Sequence, residues 1–175
     1  MIVSFICIIL SLICLFCRIV LQIFLPNYHT FPGKMQFHLT LSLFLSFLLQ
    51  LIHTFSISVL TSDEIACVTV AIMNYYFFLS SFLWMFNISL DTWTLFRSNA
   101  PLLNFNDSER SMMKYGLIGW GIPLLITAIL ILSDLFLSPK NALKPGLYSD
   151  NCWFNSRIAL TLFVACPVGC IILTN

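Results

Sequence analysis

The chain has 175 residues, of which 59% are hydrophobic and 9% charged, with a net charge of +1. A soluble domain carries roughly 25% charged residues, so this composition excludes a water-soluble globule, and the near-zero charge offers no bulk field to nucleic acid. A spanning helix needs about 20 apolar residues; the chain holds about five such spans with their loops and no separate soluble domain.

The first span is predicted over Ile2–Leu25. No Lys or Arg precedes it and no small-residue cleavage site precedes Arg18, so it reads as a membrane span, not a removable signal, with Arg18 snorkelling toward an interface. Turn-forming residues follow over Pro26–Gly33. The second span runs over Met35–Leu60. In it His38, Ser42, Ser46, Gln50 and His53 recur every four or three residues, which draws one polar stripe along a helix. Polar groups in lipid must find partners, so this stripe is expected to face other helices.

The third span, Cys67–Phe96, follows a loop at Thr61–Ile65. It is about 30 residues and roughly 45 Å long, which exceeds the ~30 Å hydrocarbon core and predicts tilt. Thr69, Ser80, Asn87 and Asp91 project one way and Asn74 and Ser81 another, so the helix is expected at the centre of a bundle. The loop Arg97–Lys114 leads to the fourth span, Tyr115–Phe136, which contains Gly116, Gly119, Trp120, Gly121 and Pro123. Proline clashes with the carbonyl four residues back, here that of Gly119, and glycines let a neighbouring backbone approach. After a loop to Arg157, the fifth span starts near Ile158 and is still running at Asn175; Pro167 within it should bend the helix and free the carbonyl of Phe163. It has no interfacial Trp or Tyr, basic flank or tail at its end, which predicts at least one further element after Asn175.

Basic residues orient the spans. Lys34, Arg97, Arg110 and Lys114 share one side, joined by Arg18, against Lys140, Lys144 and Arg157 on the other. The first group is assigned to the inside, which places the N-terminus outside. Of the seven cysteines, Cys7, Cys14, Cys17, Cys166 and Cys170 lie inside apolar stretches, while Cys67 and Cys152 lie at the outer face. Disulfides form in oxidising exoplasmic compartments, so a link between Cys67 and Cys152 is expected.

Asp91 is the carboxylate lying well inside a span, with Asn87 one turn before it; it is either a functional acid or an interfacial residue two positions before Trp93. His38 and His53 are about 22 Å apart along one helix and cannot share a site, and Cys14–Cys17 is followed by Arg18 where haem attachment needs His. No metal or cofactor is expected, and no motif for an enzyme is present. Asn87-Ile88-Ser89 and Asn106-Asp107-Ser108 match the glycosylation pattern, the first inside a span and the second on the inner side, so both should be unmodified.

Gly119-Trp120-Gly121-Ile122-Pro123 resembles the G-W-G-x-P of the fourth helix in secretin-class and adhesion-class receptors, and Cys152-Trp153 resembles their C-W in the second outer loop. Pro32-Gly33-Lys34, Phe82–Trp93 and Asp150–Phe154 are similar to Methuselah-type receptors. The resemblance implies an all-α integral membrane fold, a partial heptahelical bundle over residues 1–175 comprising spans one to five. It also implies the outer-face cysteine pair, an extracellular ligand, and a heterotrimeric G protein met by inner-face residues such as Arg97, Arg110 and Lys114. The chain departs from the class at Ile88, where an acid is usual four positions after the third-helix Trp, and so leaves His38 without that partner. The expected function is that of a plasma-membrane, multi-pass signalling receptor whose first five spans alone should not signal. The alternative is a small multi-span scaffold or transporter.

Overall fold

The structure is a computed structural model that describes residues 2–24, 30–59, 64–98, 112–136, 145 and 156–174. Every secondary-structure element among the described residues is helical. We number them α1 (Ile2–Phe24), α2 (Phe31–Val59), α3 (Glu64–Ser98), α4 (Met112–Phe136) and α5 (residues 157–174). Four are long and apolar enough to cross a membrane, over Phe5–Phe24, Phe31–Thr54, Ile65–Phe96 and Met112–Phe136, and α5 contributes a shorter apolar helix, Arg157–Ile172.

Two helix starts differ from expectation. The sequence predicts a turn at the Pro-Gly pair before Met35, yet α2 begins at Phe31. Proline lacks an N–H that the first helical turn does not use, so Pro32 is compatible with that turn. Thr30 caps it: the Gly33 amide donates to Thr30 Oγ1 at 3.3 Å and the Lys34 amide to the Thr30 carbonyl at 3.0 Å. Likewise α3 begins at Glu64, inside the expected loop, where an acid suits the positive end of the helix dipole. Its other end reaches Ser98, so Arg97 belongs to the last helical turn, not to a loop. Lys114 is also helical, in the first turn of α4, and exposed. Arg110 lies outside the described residues.

The bundle is organised around α3, which packs against α2, α4 and α5, while α1 packs on α2. Its 35 residues extend about 52 Å at 1.5 Å per residue. Val68, Tyr75 and Leu79 of α3 form a buried cluster with Leu130 of α4 and Ala159 and Phe163 of α5. Outward faces are apolar. On α1, Ile6, Leu10, Ile13, Phe16, Leu21 and Phe24 are all exposed, as are Leu124, Leu125, Ile129 and Leu132 on α4. Patches of this extent mark lipid or protein contact surfaces.

Candidate functional site

The polar residues meet where α2, α3 and α4 cross. Serine and threonine hydroxyls on a helix can satisfy themselves on carbonyls three or four residues back. Thr40, Ser42, Ser81 and Thr127 do so, on the carbonyls of Gln36, Leu39, Phe78 and Pro123. Ser42 therefore lies buried without bridging to a neighbour by its hydroxyl. Ser46 does bridge, donating to Asn74 Oδ1 of α3 at 3.1 Å.

The expected α2 stripe is cut short. A helix turns about 100° per residue, so each four-residue step drifts about 40°. His38, Ser42 and Ser46 stay within one inward arc, while Gln50 has rotated about 120° from His38 and is exposed. His53 is half-buried further along the same helix.

Two prolines set the geometry of the α3 interfaces. Because Pro123 has no N–H to offer the Gly119 carbonyl, α4 widens into a π-helical turn over Leu117–Gly121. That carbonyl accepts instead from Ser80 Oγ of α3 at 2.7 Å, and the Trp120 carbonyl accepts from the Tyr76 hydroxyl at 3.3 Å. Pro167 repeats the arrangement in α5, which is π-helical over Thr161–Ala165. The expected free carbonyl of Phe163 receives the Tyr75 hydroxyl at 2.6 Å. Lower on the same interface, Asn87 Nδ2 donates to the Tyr115 carbonyl at 2.9 Å, and its Oδ1 has no partner among the described residues. Asn87 is fully buried and turns to α4, not to Asp91, which is half-buried one turn on. Trp93, 55% exposed, follows Asp91 by two residues, which fits the interfacial reading of that acid. Thr69 is exposed and bonds the Ile65 carbonyl of its own helix, so it does not face a neighbour.

An aromatic node closes the crossing. The His38 imidazole stacks on Trp84 with ring centroids 4.7 Å apart and planes 11° apart, and meets Trp120 edge-on at 6.0 Å. Trp84 and Trp120 are 6.1 Å apart and tilted by 67°. Trp84 is entirely buried. Gly119 is what admits it: a Cβ there would stand 2.6 Å from Trp84 Cε2. Close approach was expected of several glycines and of a backbone. It occurs at Gly119 and to an indole, whereas a Cβ on Gly116 or Gly121 would meet nothing within 4 Å.

Sequence reasoning met Trp84 only as the third-helix Trp of the Phe82–Trp93 resemblance, and did not single out Tyr75, Tyr76 or the buried Asp134 of α4. A tyrosine in an apolar run looks like packing, and nothing local shows that its hydroxyl will meet a carbonyl 88 positions away. Cys67, in the first turns of α3, is disulfide-bonded, and Cys7, Cys14, Cys17, Cys166 and Cys170 are not in disulfides. Cys152 and Asn106 lie outside the described residues. Among the described residues no three His, Cys, Asp or Glu side chains gather as a metal site would require. The crossing is a packing and hydrogen-bonding junction, suited to holding or shifting helices.

The sequence pattern of the family "7 transmembrane receptor (Secretin family)" matches residues 1–175. The chain is similar to the G-protein coupled receptor Mth of Drosophila yakuba, at 27% identity over 82% of this chain and 27% of that protein. The Drosophila melanogaster protein of the same description is 25% identical over 84% of this chain and 28% of its own length. The human cadherin EGF LAG seven-pass G-type receptor 1 is 30% identical over 79% of this chain and 4% of its own length. The chain thus spans less than a third of the length of each of these relatives.

Proposed function

Because the chain belongs to the secretin family of seven-transmembrane receptors, we propose that it acts as the front part of a G-protein-coupled receptor of Methuselah-like type, in the plasma membrane, with its N-terminus outside. An outside ligand would favour one of two packings of the bundle, and the inner ends of the helices would then present a different surface to a heterotrimeric G protein. The family match along the whole chain carries this reading. The α3-centred bundle supports it, because its junctions are carbonyl-to-side-chain bonds and ring contacts, which can exchange partners without breaking covalent structure.

In this orientation Cys67 lies at the outer end of α3 and its disulfide partner is Cys152. Arg97, in the last turn of α3, Arg110, and the exposed Lys114 of α4 are the candidate contacts of the G protein in this reading. Neither catalysis nor a cofactor enters this function.

The orientation is tested by protease accessibility in cells expressing the full-length receptor. Cleavage between residues 99 and 111 is expected only after permeabilisation; cleavage on intact cells, or a glycan on Asn106, overturns the topology. Coupling is tested by nucleotide exchange on purified heterotrimers. Reversing the charge of the inner cluster with Arg110→Glu and Lys114→Glu should lower exchange at least tenfold, about 1.4 kcal/mol of coupling, at unchanged surface expression.

A further inference from the structure

At the end of the membrane-spanning part of α1 one cation lacks a protein partner. Arg18 is exposed and makes no hydrogen bond or ion pair among the described residues. It is six positions before the end of the apolar stretch Phe5–Phe24, so it starts about 9 Å inside it at 1.5 Å per residue. A guanidinium at that depth is costly unless it reaches the interface or finds an anion.

Arg18 borders a cleft of about 370 Å³ between α1 and α2, shared with Gln22, Thr30, Pro32, Gly33 and Gln36. The cleft has a fixed floor, because Gln22 Nε2 donates to the Gly33 carbonyl at 2.9 Å and clamps the two helices together. Among the described residues no Asp or Glu lines it. Among the described residues its walls thus offer the Arg18 cation and several neutral hydrogen-bonding groups, at the level where an apolar helix gives way to its connection. The anion present at that level of a bilayer, in large excess, is the phosphate of a lipid headgroup. A guanidinium pairs with phosphate through two parallel N–H donors, more specifically than an ammonium does.

We propose that the α1–α2 cleft is a binding site for the phosphate of an anionic membrane lipid, held by Arg18 and seated against Gln22, Thr30 and Gln36. The lipid belongs to the leaflet on the side of the α1–α2 connection, and its acyl chains lie along the exposed apolar face of α1. This site does not depend on the ligand or G protein of the receptor.

Native mass spectrometry of the full-length protein in detergent tests the proposal, with palmitoyl-oleoyl phosphatidylglycerol and the matching phosphatidylcholine as probes. The intact protein should retain the anionic lipid about tenfold more tightly, about 1.4 kcal/mol. Arg18→Gln should abolish that preference, and Arg18→Lys should keep part of it. Gln36→Trp, which fills the cleft and leaves the cation in place, should abolish it as well. Arg157→Gln, which removes an exposed cation at the start of α5, should leave it unchanged. The proposal is overturned if Arg18→Gln and Gln36→Trp both keep the preference, or if Arg157→Gln loses as much as Arg18→Gln. Displacement of the lipid by millimolar inorganic phosphate would assign the cleft to a soluble anion and equally overturn it.

Discussion

Gly119 and Tyr75 show what single side chains contribute to this bundle. The ring of Trp84 occupies the volume where a Gly119 Cβ would stand, and Trp84 is too enclosed to swing away. Overpacking of this kind typically costs ~1–3 kcal/mol. Gly119→Ala should therefore lower the thermal midpoint of the detergent-solubilised protein, and Trp84→Phe, with its smaller ring, should relieve part of the loss. Gly116→Ala and Gly121→Ala meet no neighbour and should stay within about 0.5 kcal/mol of the parent; equal damage at Gly121 would refute the steric account. Tyr75→Phe removes the donor from the buried Phe163 carbonyl, and an unsatisfied buried acceptor costs ~1–3 kcal/mol. Tyr76→Phe should cost less, because its bond is longer and the tyrosine half-buried.

Whole helices obey a rule that was partly legible in the sequence. Prolines inside two apolar spans announced a clash at the Gly119 carbonyl and a freed carbonyl at Phe163, and both carbonyls are seated on α3. Which α3 groups would take them was hidden, since Ser80 and Tyr75 are far from those carbonyls along the chain and the choice depends on how the helices rotate against one another. The same rotation removed Gln50 from the buried stripe, a drift that spacing by fours conceals over three turns. Helix ends differ from the sequence expectation at Pro32, Glu64, Arg97 and Lys114 because breaker and charged residues resemble loop, whereas first and last turns accept them. If Pro123 directs Ser80 to Gly119, Pro123→Ala restores an N–H that competes for that carbonyl. A double-mutant cycle should then show Ser80→Ala costing ~0.5–1 kcal/mol less in the Pro123→Ala background; strictly additive losses would refute the link.

For the molecule as a whole, α3 is the member on which the others converge, and α1 is peripheral, resting on α2. Anything that fixes α3 therefore fixes most of the bundle. The disulfide of Cys67 holds the start of this helix, and under the proposed pairing with Cys152 the two cysteines would form one bond. Losing a disulfide costs ~2–5 kcal/mol in small secreted domains. Cys67→Ser and Cys152→Ser should lower surface expression of the full-length protein to the same extent, and the double variant should be no worse than either; unequal losses by flow cytometry would separate them. The widened turn at Leu117–Gly121 has a further effect. A five-step turn stores one residue more than a four-step one, so the start of α4 is wound about 100° away from where an unbroken helix would put it. Shortening that stretch by one residue would unwind this offset, aim the Tyr115 carbonyl away from Asn87, and swing Lys114 from its present bearing, so the N-terminal end of α4 owes its heading to that surplus residue.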